Sequence, residues 1–336
     1  MLRLAIIGFG TVGGGFTEIL AARPDLDMRL VAVSDLMKGA VYHPDGLDLS
    51  ELLNSSRDLA AYPDGPALVR GLDSLGTIKN SNADVIIETS YTDLNTGEPA
   101  ISHVRAAFEA GKHAIATNKG PVALAYRDLA DLAKRRGVYF GYEGTVMSGT
   151  PSLRLARVAL AGCTIRAARG ILNGTTNYIL TQMESGAAYA EALAEAQKAG
   201  YAEADPTGDV EGFDAAGKLV ILANTIFGAA LRMQDVDRTG ITQLTPADIE
   251  VARQAGQRWK LIAEVARTGN TVAASVKPTC LPLADPLAGV GGVTNAITYE
   301  TDLLGPVTLI GPGAGRTQTG FAILSDLLEL KREFGK

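Results

Sequence analysis

The residue pattern points to an α/β protein of two units, a doubly wound and mostly parallel sheet followed by an α+β unit. Short apolar runs alternate with helix-like stretches up to about Tyr142, an alternation that builds parallel sheets covered by helices on both faces. Glycines crowd directly behind the first apolar run, where a strand would turn into a helix. Beyond about Thr150 the alternation gives way to separate strands mixed with long amphipathic helices. A chain of 336 residues that is 46% hydrophobic holds more apolar length than one small core needs, which agrees with two units.

Residues 2–7 form the first strand. Gly8-Phe9-Gly10-Thr11-Val12-Gly13-Gly14-Gly15 follows, and residues 16–22 open a helix. Glycines in such a turn let the backbone approach a pyrophosphate, which then sits at the positive end of the helix. Residues 30–35 form a second buried strand, and Asp35 falls about twenty residues beyond the glycines, where a dinucleotide-binding unit keeps the acid that bonds the ribose hydroxyls. Asp35 would repel a 2′-phosphate and so favours NAD over NADP, while Lys38 nearby would tolerate the phosphate. Residues 84–88, 113–117 and 138–142 read as further parallel strands, separated by helices over 103–110 and 125–136. The polar segment 44–76, broken by Asp-Gly and Pro, reads as an insertion with a short helix outside the sheet.

In the second unit, strands are expected over 167–172, 271–276 and 307–310, and helices over 189–199 and 213–227. The first domain is taken as residues 1–150 and the second as 151–318. The last helix, within 319–336, is expected to return to the first domain, because chain ends in such folds are often close together.

Lys119, in Thr117-Asn118-Lys119-Gly120-Pro121, follows a predicted strand at the carboxyl edge where open α/β sheets bind ligands. Its charge suits polar groups of a substrate or cofactor; the plain alternative is a solvated loop lysine. The segment 200–218, GYAEADPTGDVEGFDAAGK, places Asp214 and Lys218 four apart on one helix face that continues into Leu219-Val220-Ile221-Leu222. The pair is therefore expected to be buried rather than an ordinary surface ion pair. A lysine beside a buried carboxylate can hold or deliver a proton at a carbonyl oxygen, and Glu203 offers a partner for a substrate ammonium. Around Glu143, residues 142–151 combine one carboxylate with backbone carbonyls in a glycine-rich bend, which suits a hard monovalent cation and equally a plain turn. His43, His103 and His113 lack metal spacing and read as surface or core groups.

Cys163 and Cys280 lie far apart, without disulfide-framework or metal-motif spacing, so a reducing compartment is expected. A net charge of -6 leaves no surplus of Lys and Arg for a phosphate backbone, which argues against nucleic acid as a partner. No signal peptide and no membrane span are expected, and the cytoplasm is the expected location.

Six motifs occur in order along the chain: GFGTVG at 8–13, ATNKGPVAL at 116–124, EGTVMSGTP at 143–151, GILNGTTNYIL at 170–180, the 200–218 segment, and GPGAGRTQTG at 311–320. With them the chain resembles the homoserine dehydrogenases from end to end. The resemblance implies a Rossmann dinucleotide-binding domain joined to an α+β domain for substrate binding and dimerisation, in a homodimer. It implies NAD or NADP as cofactor and the interconversion of L-aspartate 4-semialdehyde and L-homoserine, a step of threonine, methionine and isoleucine biosynthesis.

Carried over by residue, the resemblance makes Lys218 the proton donor to the aldehyde oxygen, with Lys119 beside the nicotinamide and substrate. Glu203 becomes a ligand of the substrate amino group, Asp209 and Asp214 substrate-site acids, and Thr175 a substrate contact. Cofactor contacts fall to the turn of Gly8, Phe9, Gly10, Thr11, Val12 and Gly13, to Thr89 and Ser90 after the third parallel strand, and to Gly315. Glu143, Val146, Ser148 and Thr150 would bind a sodium ion. Longer family members carry a C-terminal ligand-sensing extension of the ACT type, so threonine feedback through such a domain is not expected here, nor is fusion to aspartate kinase. Ser152 departs from the family pattern, where an apolar residue would follow the proline of MSGTP. Two other readings remain: an oxidoreductase for another short amino- or hydroxy-aldehyde, and a nucleotide-binding regulator, which would require the catalytic residues to be lost.

Overall fold

The computed structural model describes residues 1–335. Lys336, the end of the stretch expected as the last helix, lies outside the described residues. The chain divides into two compact units, Met1–Gly149 together with the chain from Gly315 onward, and Thr150–Ala314.

In the first unit the strands are Leu2–Ile7 (β1), Met28–Asp35 (β2), Gly39–Tyr42 (β3), Val69–Arg70 (β4), Val85–Glu88 (β5), His113–Ala116 (β6) and Phe140–Gly141 (β7). They form one sheet in the order β4-β3-β2-β1-β5-β6-β7. β2, β1, β5, β6 and β7 run parallel, and β3 and β4 turn antiparallel at the edge. Every residue of β5 and β6 is buried, as strands covered on both faces must be. The chain runs outward from β1 to β2, β3 and β4 and returns to the other side of β1 as β5. At such a switch point the loops leave the carboxyl ends of β1 and β5 in opposite directions and open a crevice.

Three expectations need correction here. The segment 44–76 does join the sheet, because Val41 pairs with Arg70 and Tyr42 with Val69. The helix expected from Phe16 starts at Thr11, so the three glycines after Val12 are helical. Their lack of a side chain serves a close crossing: a Cβ on Gly15 would stand 2.5 Å from the Arg316 carbonyl oxygen, and one on Gly320 would stand 2.9 Å from Phe16 N. Helix Thr11–Ala22 thus meets helix Arg316–Phe334 backbone against backbone. Ile323, Leu324, Leu327 and Leu330 of the latter join Leu4, Ile6 and Phe16 in one core. Finally, the helix expected over 125–136 runs Lys119–Arg136 with a break at Ala125, so a separate helical piece opens with Lys119.

In the second unit Ile165–Ile171 (β8), Asp237–Arg238 (β9), Gln257–Thr268 (β10), Thr271–Pro282 (β11), Thr294–Thr301 (β12) and Gly305–Pro312 (β13) form a sheet in the order β13-β12-β8-β10-β11-β9. Its pairs are antiparallel except β11 with β9. Helix Gly174–Glu184 packs on β10 and β12, and helix Phe213–Ile226 on β10 and β11. Among the described residues no helix is long and apolar enough to cross a membrane.

Candidate active site

The turn after β1 is built from glycines with unlike duties. Gly8 has φ 91°, and a Cβ there would stand 2.6 Å from Ser90 N; a Cβ on Gly13 would stand 2.7 Å from the Gly8 carbonyl oxygen. Gly10 instead faces open space, with nothing within 4 Å of where a Cβ would be. A gap lined by backbone at the N-terminus of a 12-residue helix fits a pyrophosphate, since the helix N–H groups and dipole favour negative charge.

Asp35, at the end of β2, accepts from Phe9 N at 2.7 Å through one oxygen and from Met37 N and Lys38 N at 3.0 and 3.1 Å through the other. Lys38 Nζ donates back to the Phe9 carbonyl. Asp35 and Lys38 therefore brace the glycine turn, a duty that their spacing in the sequence did not suggest. Thr89 Oγ1 donates to the Gly8 carbonyl, and Asn118 Nδ2 donates to the carbonyls of Ser90 and Tyr91 at 3.1 and 2.6 Å. Asn118 Oδ1 accepts from Gly120 N at 2.9 Å and so caps the helical piece that opens with Lys119. Asp35 ends β2, and the glycine turn with Thr11 and Val12, Thr89, Ser90 and Lys119 follow the carboxyl ends of parallel strands. Gly315, with φ 136°, caps helix Arg316–Phe334, whose Arg316 holds Glu18 through two bonds of 3.0 and 2.8 Å.

The second unit gathers a polar cluster at the N-terminal ends of helices Gly174–Glu184 and Phe213–Ile226. Asn173 caps the first, its Oδ1 accepting from Thr176 N at 2.9 Å. Its Nδ2 donates to Asp209 Oδ1 at 2.6 Å and to Asp214 Oδ2 at 3.0 Å. Lys218 Nζ lies 2.7 Å from the same Asp214 oxygen and donates to the Leu172 carbonyl at 2.6 Å. Lys218 is only 7% exposed, whereas Asp214 is half-buried, so the expectation of a buried pair holds for the lysine and only in part for the acid. Removing Asp214 would leave the buried ammonium without its counter-charge, a loss reduced by the water that reaches the half-buried acid. Burial pushes the Asp209 carboxyl above the ordinary carboxylate range; the Asn173 hydrogen bond opposes this and the neighbouring Asp214 charge adds to it. Thr175 Oγ1 donates to the Tyr201 carbonyl at 2.6 Å and ties the helix to the 200–218 segment.

Asn173 and the Leu172 carbonyl, at the centre of this cluster, were not candidates from the sequence, although NGTT, an Asn just before a helix, was the signal that could have found the first. The structure does not bring Glu203 into these bonds. It stands exposed, its carbonyl accepting from Gln197 Nε2 at 3.0 Å. One unit therefore offers a dinucleotide cradle, and the other offers acids for an ammonium group beside a lysine able to handle a proton.

A family model described as homoserine dehydrogenase matches residues 151–328, and one described as the homoserine dehydrogenase NAD binding domain matches residues 8–143. The chain belongs to the homoserine dehydrogenase family. It is an NAD(P)-dependent oxidoreductase acting on a CH–OH group. It is 46% identical to the NAD(+)-dependent homoserine dehydrogenase of Pseudomonas canavaninivorans, over 98% of this chain and 96% of that one. Identity to the homoserine dehydrogenase of Methanocaldococcus jannaschii is 40%, over 98% of both chains. A solved hyperthermophilic archaeal homoserine dehydrogenase in complex with NADPH superposes with a TM-score of 0.85 at 28% identity, covering 99% of this chain and 98% of that one.

The oxygens that the homoserine dehydrogenase resemblance implies for sodium are distributed as follows. Glu143 is buried and its amide donates to Asp326 at 3.0 Å; Val146 is buried; Ser148, at φ 53°, shares a hydrogen bond of 2.8 Å with Thr319. Thr150 belongs to the second unit and donates to the Pro312 carbonyl at 2.9 Å. Among the described residues no group of three His, Cys, Asp or Glu side chains is placed to hold a metal. Ser152 is fully buried, which is the environment the expected apolar residue would have had.

Proposed function

We propose that this homoserine dehydrogenase interconverts L-homoserine and L-aspartate 4-semialdehyde with Lys218 holding the proton at the reacting oxygen. The observation that carries this is the half-buried chain of hydrogen bonds from Asp209 through Asn173 and Asp214 to the buried Lys218. When bound, the nicotinamide ring supplies or takes the hydride at substrate C4. The substrate's carbonyl oxygen is where negative charge would build as C4 is reduced. Lys218 has three N–H bonds, of which one serves Asp214 and one the Leu172 carbonyl; the third can meet that oxygen. The proton then passes from nitrogen to oxygen to give the alcohol, and in the oxidative direction it returns along the same line. Asp214 keeps the ammonium aimed, and Asn173 keeps Asp214 and Asp209 in place.

Asp209, with Glu203 and Thr175, suits the amino end of the substrate. Lys119 supplies a positive charge for polar groups of cofactor or substrate, and the Gly8–Gly13 turn with Thr89, Ser90 and Gly315 holds the dinucleotide. Asp35 and the relative named as NAD(+)-dependent support NAD as the preferred cofactor, with NADP second. The same reading takes residues 151–318 as the substrate-binding and dimerisation domain of a cytoplasmic homodimer. It assigns the enzyme to threonine, methionine and isoleucine biosynthesis and gives Glu143, Val146, Ser148 and Thr150 a sodium ion.

The test is the initial rate of NADH and of NADPH formation with L-homoserine and with a panel of other short amino and hydroxy alcohols. Homoserine with NAD+ is expected to give the highest kcat/KM. Another alcohol ranking first would contradict the substrate assignment, and a higher rate with NADP+ would contradict the cofactor preference.

A further inference from the structure

Glu88 ends β5 with its side chain fully buried, where a carboxylate is costly unless its oxygens are filled. Three donors fill them. Oε1 accepts from Ser90 N at 2.8 Å and from Ser90 Oγ, and Oε2 lies 2.6 Å from His103 Nδ1. His103, on helix Ala100–Glu109, is itself buried, so the pair is sealed from water. It plays no part in the proton transfer at Lys218, and the sequence suggested only packing for His103.

The consequence falls on Ser90. A hydroxyl has one proton and two lone pairs, and this proton is committed to Glu88. In every other direction Ser90 Oγ offers lone pairs alone. The Ser90 backbone is fixed too, since its amide nitrogen packs against Gly8 and its carbonyl accepts from Asn118 at 3.1 Å.

We propose that Glu88, braced by His103, is a positioning residue that makes the Ser90 hydroxyl a dedicated acceptor for an N–H or O–H donor of the bound cofactor. The proposal rests on the reading of the first unit as the nucleotide domain with Ser90 as a contact. A leucine at position 88 has no acceptor, so Ser90 Oγ loses its partner and its proton is released to turn outward, against the cofactor's own donor; a glutamine keeps one oxygen for both Ser90 bonds and can offer its nitrogen to the His103 ring in its other tautomer.

A double-mutant cycle tests this, with the Kd for NADH read from its fluorescence and folding checked by thermal melting. Glu88→Leu and Ser90→Ala are each expected to weaken NADH about tenfold, the worth of one good hydrogen bond. The double variant is expected to bind no worse than Ser90→Ala, because Glu88 acts through that hydroxyl. Losses that multiply, as for a merely structural role, or Glu88→Leu binding like wild type, would overturn it.

Should Glu88→Leu fail to fold, Glu88→Met serves instead, with Glu88→Gln beside it. Gln keeps an accepting oxygen for Ser90 and is expected to bind NADH within about threefold of wild type, while Met weakens it about tenfold; equal binding by both overturns the proposal. The reduced 3-acetylpyridine analogue lacks the carboxamide N–H. If Ser90→Ala weakens NADH but spares the analogue, the donor is the carboxamide; an equal loss assigns it to a ribose hydroxyl. NADH binding needs no homoserine, so a failed homoserine assay leaves this result intact, whereas wild-type protein that binds no NADH would count against the nucleotide domain itself.

Discussion

Asn173 caps a helix with its oxygen and clamps two carboxylates with its nitrogen, so stability and chemistry can be separated at this position. Asn173→Ser keeps a capping oxygen and loses the donor to Asp209 and Asp214. It is expected to melt near wild type while kcat/KM for homoserine falls at least about tenfold. Asn173→Ala loses both functions and about 1 kcal/mol of stability besides. Melting curves beside steady-state rates check this, and a fully active Ser variant would contradict it. Asp209 makes a prediction in pH. Because burial holds its folded pKa above the unfolded value, the native state gains stability as pH falls through that window and loses it as pH rises through it. Asp209→Asn removes this loss. The variant is expected to melt above wild type at neutral pH, with the difference closing as pH drops into the carboxylate range; a variant melting lower at neutral pH would contradict the burial effect. Asp214 and Lys218 were legible because a charged i,i+4 pair runs into an apolar helix. Asn173 and the Leu172 carbonyl were not, since they act across 36 and 46 residues, and no local pattern records such contacts.

Strands β1, β2, β5 and β6 were legible for the reason that makes them stable. Parallel strands buried on both faces need unbroken apolar runs. β4 has two residues and no period to detect, and in β10 the charged Lys260 is buried, which obscures the side-chain alternation of that strand. The helix from Thr11 was placed too late because glycine is a poor helix former; the crossing with Arg316–Phe334, a tertiary contact, overrides that propensity. The cradle itself separates two glycines. Gly8→Ala would force a Cβ to 2.6 Å from Ser90 N at a φ of 91° and is expected to lower the melting temperature sharply. Gly10→Ala has φ -89° and open space, so it is expected to melt like wild type yet weaken NADH, by filling the gap proposed for the pyrophosphate. Melting with and without NADH distinguishes them. A Gly10→Ala protein that binds NADH normally would remove the pyrophosphate from that gap.

The nucleotide unit is not a continuous stretch of chain. Its core is completed by Ile323, Leu324, Leu327 and Leu330, which arrive after the entire second unit. Burying four such side chains contributes about 6–12 kcal/mol, comparable to the whole stability of a domain. A fragment of residues 1–149 is therefore expected not to fold or bind NADH alone. Circular dichroism and NADH fluorescence on that fragment check it, and a cooperative melt with NADH binding would contradict the role given to the last helix. The division near residue 150 could be read from the change of pattern. The return of the last helix was expected only from the general closeness of chain ends, not from its own residues.

The decisive experiment compares Lys218→Ala with wild type for kcat/KM on L-homoserine, in protein shown by fluorescence to retain NADH. Loss of the proton-holding amine is expected to lower kcat/KM by about 10²-fold or more while NADH still binds. A Lys218→Ala protein that oxidises homoserine at the wild-type rate would contradict the assignment of the proton to this lysine.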